Sequence, residues 1–300
     1  MTPKLKAIRR QHPQHPQLEC KKQKPARTAG FFFGEIMNTE DKLLISKIED
    51  KARQCSENSM ITNSDFLDMH QKSVAAGLRL PYPDVKMIFW GGFEDAERTV
   101  AVFLPDYIDA QSEGELFSHF AEFTDDDPLT VIELTKDRFS PALSHRDYLG
   151  ALMGLGIRRE MTGDIIVSEN GCKMAVLSKI APFILENLGK AGRGTLTGRI
   201  LSVSDARQGT KAVGVPDSFT VSSMRLDSVV KNAFGVSRGD AADAIEGGVV
   251  FVNDLECTKP DRKIRSGDKI VFRRKGRIIV EDCSGVSKKG RIIVNIIRNV

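Results

Sequence analysis

Apolar residues first recur at helical spacing just after Asn38. They are Leu43, Leu44, Ile48 and Ala52. Because Asn38 can cap a helix and acidic residues follow it directly, this pattern predicts a helix. A second helix is predicted between Ser64 and about Ala76, where a glycine ends it. The two helices predict a small helical N-terminal unit over residues 38–82.

The spacing changes in the next segment. Residues 85–90 and 99–104 are rich in apolar and β-branched side chains, and a glycine-containing turn separates them, which predicts two strands of a hairpin. Helical and strand patterns then alternate as far as residue 203. This order predicts an α+β domain over residues 83–204, in which helices cover one face of a sheet. The polar stretch over residues 205–222 is predicted to be a linker.

The last segment, residues 223–300, is predicted to contain two short helices followed by a small sheet. Ser237 and Asp240 fit a capping box at the start of the second helix. The sequence Lys-Gly-Arg-Ile-Ile-Val occurs at 275–280 and again at 289–294, and a polar loop separates the copies. We predict that these copies form a hairpin that closes the sheet. The whole chain is therefore predicted to be α+β.

The charge of the chain is unevenly distributed. Its formal net charge is +4, but residues 224–300 contain 16 basic and 10 acidic residues, whereas residues 38–223 contain 20 basic and 28 acidic residues. Between residues 259 and 277 there are 9 basic and 2 acidic residues. A basic surface on a short helix pair and a strand is typical of phosphate recognition, so the C-terminal segment is predicted to bind RNA.

Residues 1–37 are predicted to be a disordered basic extension. They hold 8 basic and 2 acidic residues, with Gln-His-Pro repeats and few apolar positions. One explanation is a basic arm that adds affinity for RNA phosphates. The other is a mis-assigned start, because Gly34-Glu35 can be encoded by a ribosome-binding sequence just ahead of Met37. The absence of any pattern beyond composition favours the second explanation.

The middle segment offers little for catalysis or metal binding. The triplet His145-Arg146-Asp147 resembles a protein-kinase motif, but the metal-binding and glycine-rich phosphate motifs of kinases are absent from the sequence. Ser144, as a helix cap, explains the triplet without chemistry. The five cysteines are scattered, which argues against a zinc site and a disulfide framework. We therefore expect no catalytic residues, no metal and no cofactor.

The C-terminal segment resembles the S4 RNA-binding domain. The residues that carry the resemblance are Arg225, Leu226, Asp227, Ser237, Arg238, Ala241, Ile245, Gly248, Val250, Val252, Asn253, Lys259, Pro260, Gly267 and Asp268. Asp254 departs from the pattern, which usually has glycine there, but aspartate also tolerates a tight turn. In addition, 145–156, Arg158 and 163–165 resemble the middle domain of YlmH-like S4 proteins, so the resemblance spans essentially all of residues 38–300.

This resemblance implies a bacterial cytoplasmic protein with an RRM-like middle domain, an α/β sandwich, and no known catalysis. It also implies a role on large ribosomal subunits that carry stalled peptidyl-tRNA, in ribosome-associated quality control. The expected partners are structured RNA, both rRNA and tRNA, and the large subunit. We expect a monomer, with no membrane association and no small-molecule substrate. The alternative is an RNA-modifying enzyme, of pseudouridine synthase or methyltransferase type, with an appended S4 domain.

The expected RNA-binding residues come from two sources. The resemblance implies Arg225, Ser237, Arg238 and Lys259. Charge alone adds Arg262, Lys263, Arg265, Arg273 and Arg274. Arg146, Arg158 and Arg159 are a possible second RNA edge, the alternative being a solvated basic edge. Three aromatic residues are either base-stacking platforms or core residues, namely Trp90, Phe89 and Phe103, and the alternation of apolar positions around them favours the core.

Overall fold

The computed structural model describes residues 38–207 and 214–299. The predicted N-terminal extension, residues 1–37, lies outside the described residues. Helices and strands are mixed throughout, so the α+β prediction is confirmed. Within the two described ranges, no helix is both long enough and apolar enough to cross a membrane.

The N-terminal unit is a pair of helices packed on a small antiparallel sheet. Its elements are α1 (Thr39–Asn58), β1 (Thr62–Asn63), α2 (Met69–Ala76), β2 (Val85–Trp90) and β3 (Val100–Pro105). The side chain of Asn38 accepts a hydrogen bond of 2.7 Å from the backbone N–H of Asp41 and so caps α1 as predicted. The strand order is β1-β3-β2.

The position of β2 and β3 differs from the prediction. They were expected in the sheet of the 83–204 domain, but they pair with each other and with β1 in a sheet of their own. Strand β3 is buried on both faces, because Phe103 packs beneath α1 while Val102 packs toward the middle domain. A sequence pattern identifies a strand but not its partner. Trp90 and Phe103 are both buried, which confirms the core interpretation for them, and Phe89 is half-buried against the cluster beneath α1.

The middle domain follows helix α3 (Glu113–Glu122). Its elements are β4 (Leu129–Lys136), α4 (His145–Gly154), β5 (Thr162–Ser168), β6 (Gly171–Leu177), α5 (Ala181–Asn187), β7 (Lys190–Ala191) and β8 (Gly194–Ile200). The antiparallel sheet has the order β5-β6-β4-β8-β7. Apart from the two-residue β7, this is the β-α-β-β-α-β arrangement of an RRM-like sandwich. The implied middle-domain fold is therefore confirmed.

Both faces of this sheet are covered in its central strands. On one face, Ile132 and Leu134 of β4 pack against α4 and α5. On the other face, Leu129 and Val131 pack in one cluster with Phe66 and other residues of the N-terminal unit. RRM domains usually bind RNA through the exposed face of the sheet. Here the N-terminal unit covers much of that face, so the usual RNA-binding face of an RRM-like sheet is not open in this protein.

The C-terminal domain holds two helices against a six-stranded sheet. After α6 (Val203–Arg207), its elements are β9 (Gly214–Val221), α7 (Leu226–Phe234), α8 (Arg238–Glu246), β10 (Val250–Val252), β11 (Leu255–Glu256), β12 (Lys269–Phe272), β13 (Gly276–Val286) and β14 (Ile292–Asn299). The strand order is β11-β10-β12-β13-β14-β9.

Two predictions for this region are resolved by the sheet. The hairpin is confirmed, because β13 and β14 pair antiparallel, although Ile279 faces Ile297 and so the two repeated sequences are not opposite each other. The predicted linker over residues 205–222 is wrong over residues 214–221, which form β9 along β14. Only Val221 of this edge strand is buried. The segment therefore lacks the apolar alternation of an inner strand, and its polar sequence resembles a linker.

The C-terminal domain contacts the N-terminal unit through an acidic turn. Asp254 accepts hydrogen bonds from Lys72 of α2 at 3.2 Å and from Lys269 at 2.9 Å. The imidazole of His70 lies 2.7 Å from a carboxylate oxygen of Glu256. Burial opposes the charged form of His70, but its carboxylate partners raise its pKa overall. These ion pairs hold the first and last parts of the chain together across more than 180 residues.

Candidate RNA-binding surface

The two helices of the C-terminal domain form because their apolar residues lie on one side. Helix α7 buries Leu226, Val229, Val230 and Ala233 against the sheet. It ends at Gly235, which has φ +65°, a conformation that glycine adopts without strain. Ser237 and Asp240 form the predicted capping box at the start of α8. This tight connection places the start of α8 beside α7.

Asp227 organises the arginines of this surface. Its carboxylate is only 3% exposed, at the first turn of α7. It accepts two hydrogen bonds from Arg225, each 3.1 Å, and two from Arg238, at 3.2 and 3.3 Å. The side chains of Arg225 and Arg238 stay 40% and 66% exposed. One buried carboxylate therefore fixes two guanidinium groups that still face solvent.

The electrostatics of Asp227 agree with this role. Burial alone would raise its pKa, but hydrogen bonds and charge from Arg225 and Arg238 hold the pKa below the ordinary value for aspartate. The carboxylate is therefore ionised at neutral pH. Arginine has a planar, always charged donor group, so a pair held this way suits phosphate oxygens and base edges in structured RNA.

A basic loop lies beside the arginine pair. The backbone N–H of Leu226 donates to the carbonyl of Arg262 at 2.8 Å, and that of Asp227 donates to the carbonyl of Pro260 at 3.0 Å. Arg225 and Lys263 also pair as an isolated β-bridge. These bonds attach the loop of residues 259–263 to the start of α7. Five predicted residues are thus brought together: Arg225, Arg238, Lys259, Arg262 and Lys263.

The other predicted residues are not held by Asp227. Ser237 is exposed, but its hydroxyl caps α8. Arg265 is exposed on the turn that leads into β12. Arg273 and Arg274 follow β12 and line a cleft of about 940 Å³ between the C-terminal domain and the acidic loop of residues 93–97. No contact in the described part of the chain joins them to Asp227.

The possible second edge divides into exposed and buried arginines. Arg146 is exposed on the first turn of α4. Arg158 is 66% exposed and pairs with Glu160 at 3.2 Å. Arg159 differs from the prediction, because its guanidinium points inward and donates to the carbonyls of Thr162 and Gly163 at 2.8 and 2.9 Å. Burial, and then the charge of a neighbouring arginine, lower its pKa to about 10.

Asp227 was not predicted as a site residue. It was noticed only as part of the S4 resemblance, with no role assigned to it. The available signal was an acidic residue two positions after Arg225, at the start of an amphipathic helix where a side chain on the inner face becomes buried. A buried carboxylate requires partners, and Arg225 is a charged donor only two residues away.

The other reactive groups lie in unreactive surroundings. Burial, and then the charge of Arg159, lower the pKa of His145. Burial raises the pKa of the Cys172 thiol to about 12. Burial, and to a smaller extent the nearby charge of Asp84, raises the pKa of the Cys55 thiol to about 11. Among residues 38–207 and 214–299, no three His, Cys, Asp or Glu side chains are grouped to hold a metal ion.

Comparisons with known proteins agree with the surface just described. Residues 125–202 match the putative RNA-binding domain in YlmH, and residues 224–270 match the S4 domain. The ribosome-associated protein quality control protein P2 of Bacillus subtilis (strain 168) is 28% identical over 253 residues, which cover 84% of this chain and 93% of that protein. The solved structure of the cell division protein ylmH from Streptococcus pneumoniae is 16% identical, with a TM-score of 0.43, and the match covers 59% of this chain and 99% of that chain. The two domain matches and the Bacillus relative confirm the resemblance of this chain to the YlmH-like S4-domain RNA-binding proteins.

Proposed function

We propose that this protein binds rRNA and tRNA on large ribosomal subunits that carry stalled peptidyl-tRNA, and that it acts there by binding rather than by catalysis. In this proposal it works in the cytoplasm, in ribosome-associated quality control. The observation that carries the proposal is the arginine pair on Asp227 beside the 259–263 loop. The name of the Bacillus relative supports the ribosomal setting.

The surface is arranged for phosphate before RNA binds. Two guanidinium groups are fixed before RNA arrives, so little side-chain entropy is lost on binding. Lys259 and Lys263 are exposed on the adjoining loop and add charge without a fixed direction. Structured RNA is recognised largely through its shape, its phosphates and its 2′-hydroxyls, which such a surface can contact.

The test is the distribution of the protein in a sucrose gradient of cell extract. Wild-type protein should co-migrate with free large subunits. The variant Lys259→Glu with Lys263→Glu should move to the soluble fractions, because it replaces attraction for phosphate by repulsion. These two lysines are preferable to Arg238 as sites for a reversed charge. Glutamate at 238 would face the buried Asp227 and disturb the fold.

The matched control is Lys42→Glu with Lys47→Glu, on the exposed face of α1. It changes the net charge by the same amount, so it should stay with the large subunits. A wild-type protein found only in the soluble fractions would contradict the ribosomal proposal. Equal loss from both double variants would show that net charge matters and that the loop surface does not.

A further inference from the structure

One aromatic residue of the middle domain lies outside the hydrophobic core. Phe139 lies in the loop between β4 and α4, and its side chain is 86% exposed. The guanidinium carbon of Arg138 lies 5.7 Å from the centroid of its ring. A single exposed apolar residue is common on protein surfaces, so the environment of Phe139 decides whether it has a function.

That environment is basic. The loop of residues 136–147 lies against the β7–β8 turn, because Asp137 donates its backbone N–H to the carbonyl of Thr195 at 3.0 Å, and Thr195 donates to the hydroxyl of Ser140 at 3.1 Å. Together, residues 136–147 and 190–193 contain five basic and two acidic residues. The basic ones are Lys136, Arg138, Arg146, Lys190 and Arg193.

One of the two acidic residues, Asp147, already accepts hydrogen bonds within its own segment. The carboxylate of Asp147 accepts hydrogen bonds of 2.7 Å from both the backbone N–H and the hydroxyl of Ser144. It also lies beside the β7–β8 turn, since a Cβ on Gly192 would be 3.1 Å from one of its oxygens. Arg146 precedes Asp147 and Arg193 follows Gly192, so both arginines are brought to the same edge of the domain, and both are exposed.

We propose that Phe139 is a stacking platform for an unpaired RNA base, and that Arg138, Arg146 and Arg193 hold the adjoining phosphates. The usual RNA face of an RRM-like sheet is covered here at Leu129 and Val131, so a contact with RNA would need another part of the domain. An aromatic ring with arginines around it has the chemistry of a single-strand site. This inference rests on the proposed RNA-binding function and adds a second contact, for unpaired RNA, to the C-terminal surface.

The test uses the full chain and two RNA probes, a blunt-ended hairpin and a 12-nucleotide oligouridine. Phe139→Ala should weaken oligouridine binding by about 5- to 150-fold, the range expected for losing one base–aromatic stack. Binding of the hairpin should change by less than about twofold. Phe139→Trp should retain oligouridine binding, whereas Phe139→Leu should lose it, because leucine keeps apolar area but has no π face.

Phe123→Ala is the matched control. Phe123 is 50% exposed but lies next to the acidic residues 125–127, so its removal should leave oligouridine binding unchanged. If wild-type protein binds the hairpin but not oligouridine, or if Phe139→Ala binds both probes normally, the stacking site is wrong and the proposed function stands. If wild-type protein binds oligouridine through Phe139 but not the hairpin, the proposed C-terminal surface is wrong instead. If it binds neither, both proposals fail.

Discussion

Asp127 in the middle domain and Asp227 in the C-terminal domain are both nearly buried, at 9% and 3% exposure, yet their electrostatics are opposite. Asp127 accepts hydrogen bonds from the indole N–H of Trp90 and from the backbone N–H of Leu129. Burial raises its pKa to about 7, because neither donor is charged. Burial also opposes the ionisation of Asp227, but two arginines hold its pKa below the ordinary value for aspartate.

Two pairs of arginines differ in the same way. Arg98 and Arg159 point inward, where Arg98 donates to the carbonyls of Thr162 and Phe66 at 3.1 and 3.2 Å. Arg225 and Arg238 keep much of their surface in solvent. A basic residue can contact a phosphate only when its donors remain available. Backbone carbonyls take up the donors of Arg98 and Arg159, whereas the carboxylate of Asp227 holds the exposed guanidinium groups of Arg225 and Arg238 in place.

The largest effect should follow from removing an inward arginine. Arg98→Ala leaves the carbonyl of Phe66 without its donor and removes one donor each from the carbonyls of Thr162 and Arg159, so we expect a loss of about 3 kcal/mol in the free energy of unfolding. Urea unfolding measures it. The exposed Arg158→Ala is the control and should change stability by less than about 0.5 kcal/mol.

The RNA affinity of folded Arg98→Ala should equal that of wild type. If this variant kept its stability and lost affinity for RNA, the division between inward and outward arginines would be wrong.

The second prediction concerns pH and Asp127. Its folded-state pKa is raised above the unfolded value, so its contribution to stability is fully present below about pH 4 and is lost as pH rises to about 7. Asp127→Asn keeps an acceptor without the charge. We expect the variant to match wild type near pH 4 and to exceed it by on the order of 2 kcal/mol at pH 8.

Urea unfolding across this pH range measures the difference in the free energy of unfolding between Asp127→Asn and wild type. The control for removing a negative charge nearby is Asp125→Asn, on the exposed 3₁₀ turn. A difference that stays constant between pH 4 and pH 8 would mean that Asp127 is ionised in the folded protein, as Asp227 is.

The third prediction applies the matching change to Asp227. Asp227→Asn removes the charge that fixes Arg225 and Arg238, so RNA affinity should fall about tenfold, or about 1.4 kcal/mol. Filter binding with a structured RNA measures it. Asp243→Asn, exposed on α8, is the control and should not weaken binding, because it also removes one negative charge. Affinity equal to wild type in Asp227→Asn would show that the arginines need no fixed arrangement.

The sequence was informative where structure is local. The cap at Asn38, the capping box at Ser237 and the β13–β14 hairpin were predicted because each depends on residues only a few positions apart. The resemblance also led to the correct RRM-like and S4 folds. Grouping Arg225 with Lys259 required the S4 pattern, since nothing in the spacing alone brings them together.

Contacts between distant segments could not be predicted. The ion pairs of His70 with Glu256 and of Lys72 with Asp254 join residues more than 180 positions apart, and charged residues at such separations have many alternative partners. The inward direction of Arg159 depends on carbonyl groups that only the folded backbone presents. For the same reason, the sheet partner of β2 and β3 was predicted incorrectly.

The smallest effect should come from one flexible charge at the outward surface. If Lys259 contacts a single RNA phosphate, Lys259→Gln should reduce the slope of log K against log salt concentration by about 0.7 to 0.9. Lys42→Gln on α1 should leave the slope unchanged. The inward donors of Arg98 should contribute nothing to this slope. An unchanged slope for Lys259→Gln would remove this lysine from the RNA surface and leave the Asp227 arginine pair as its centre.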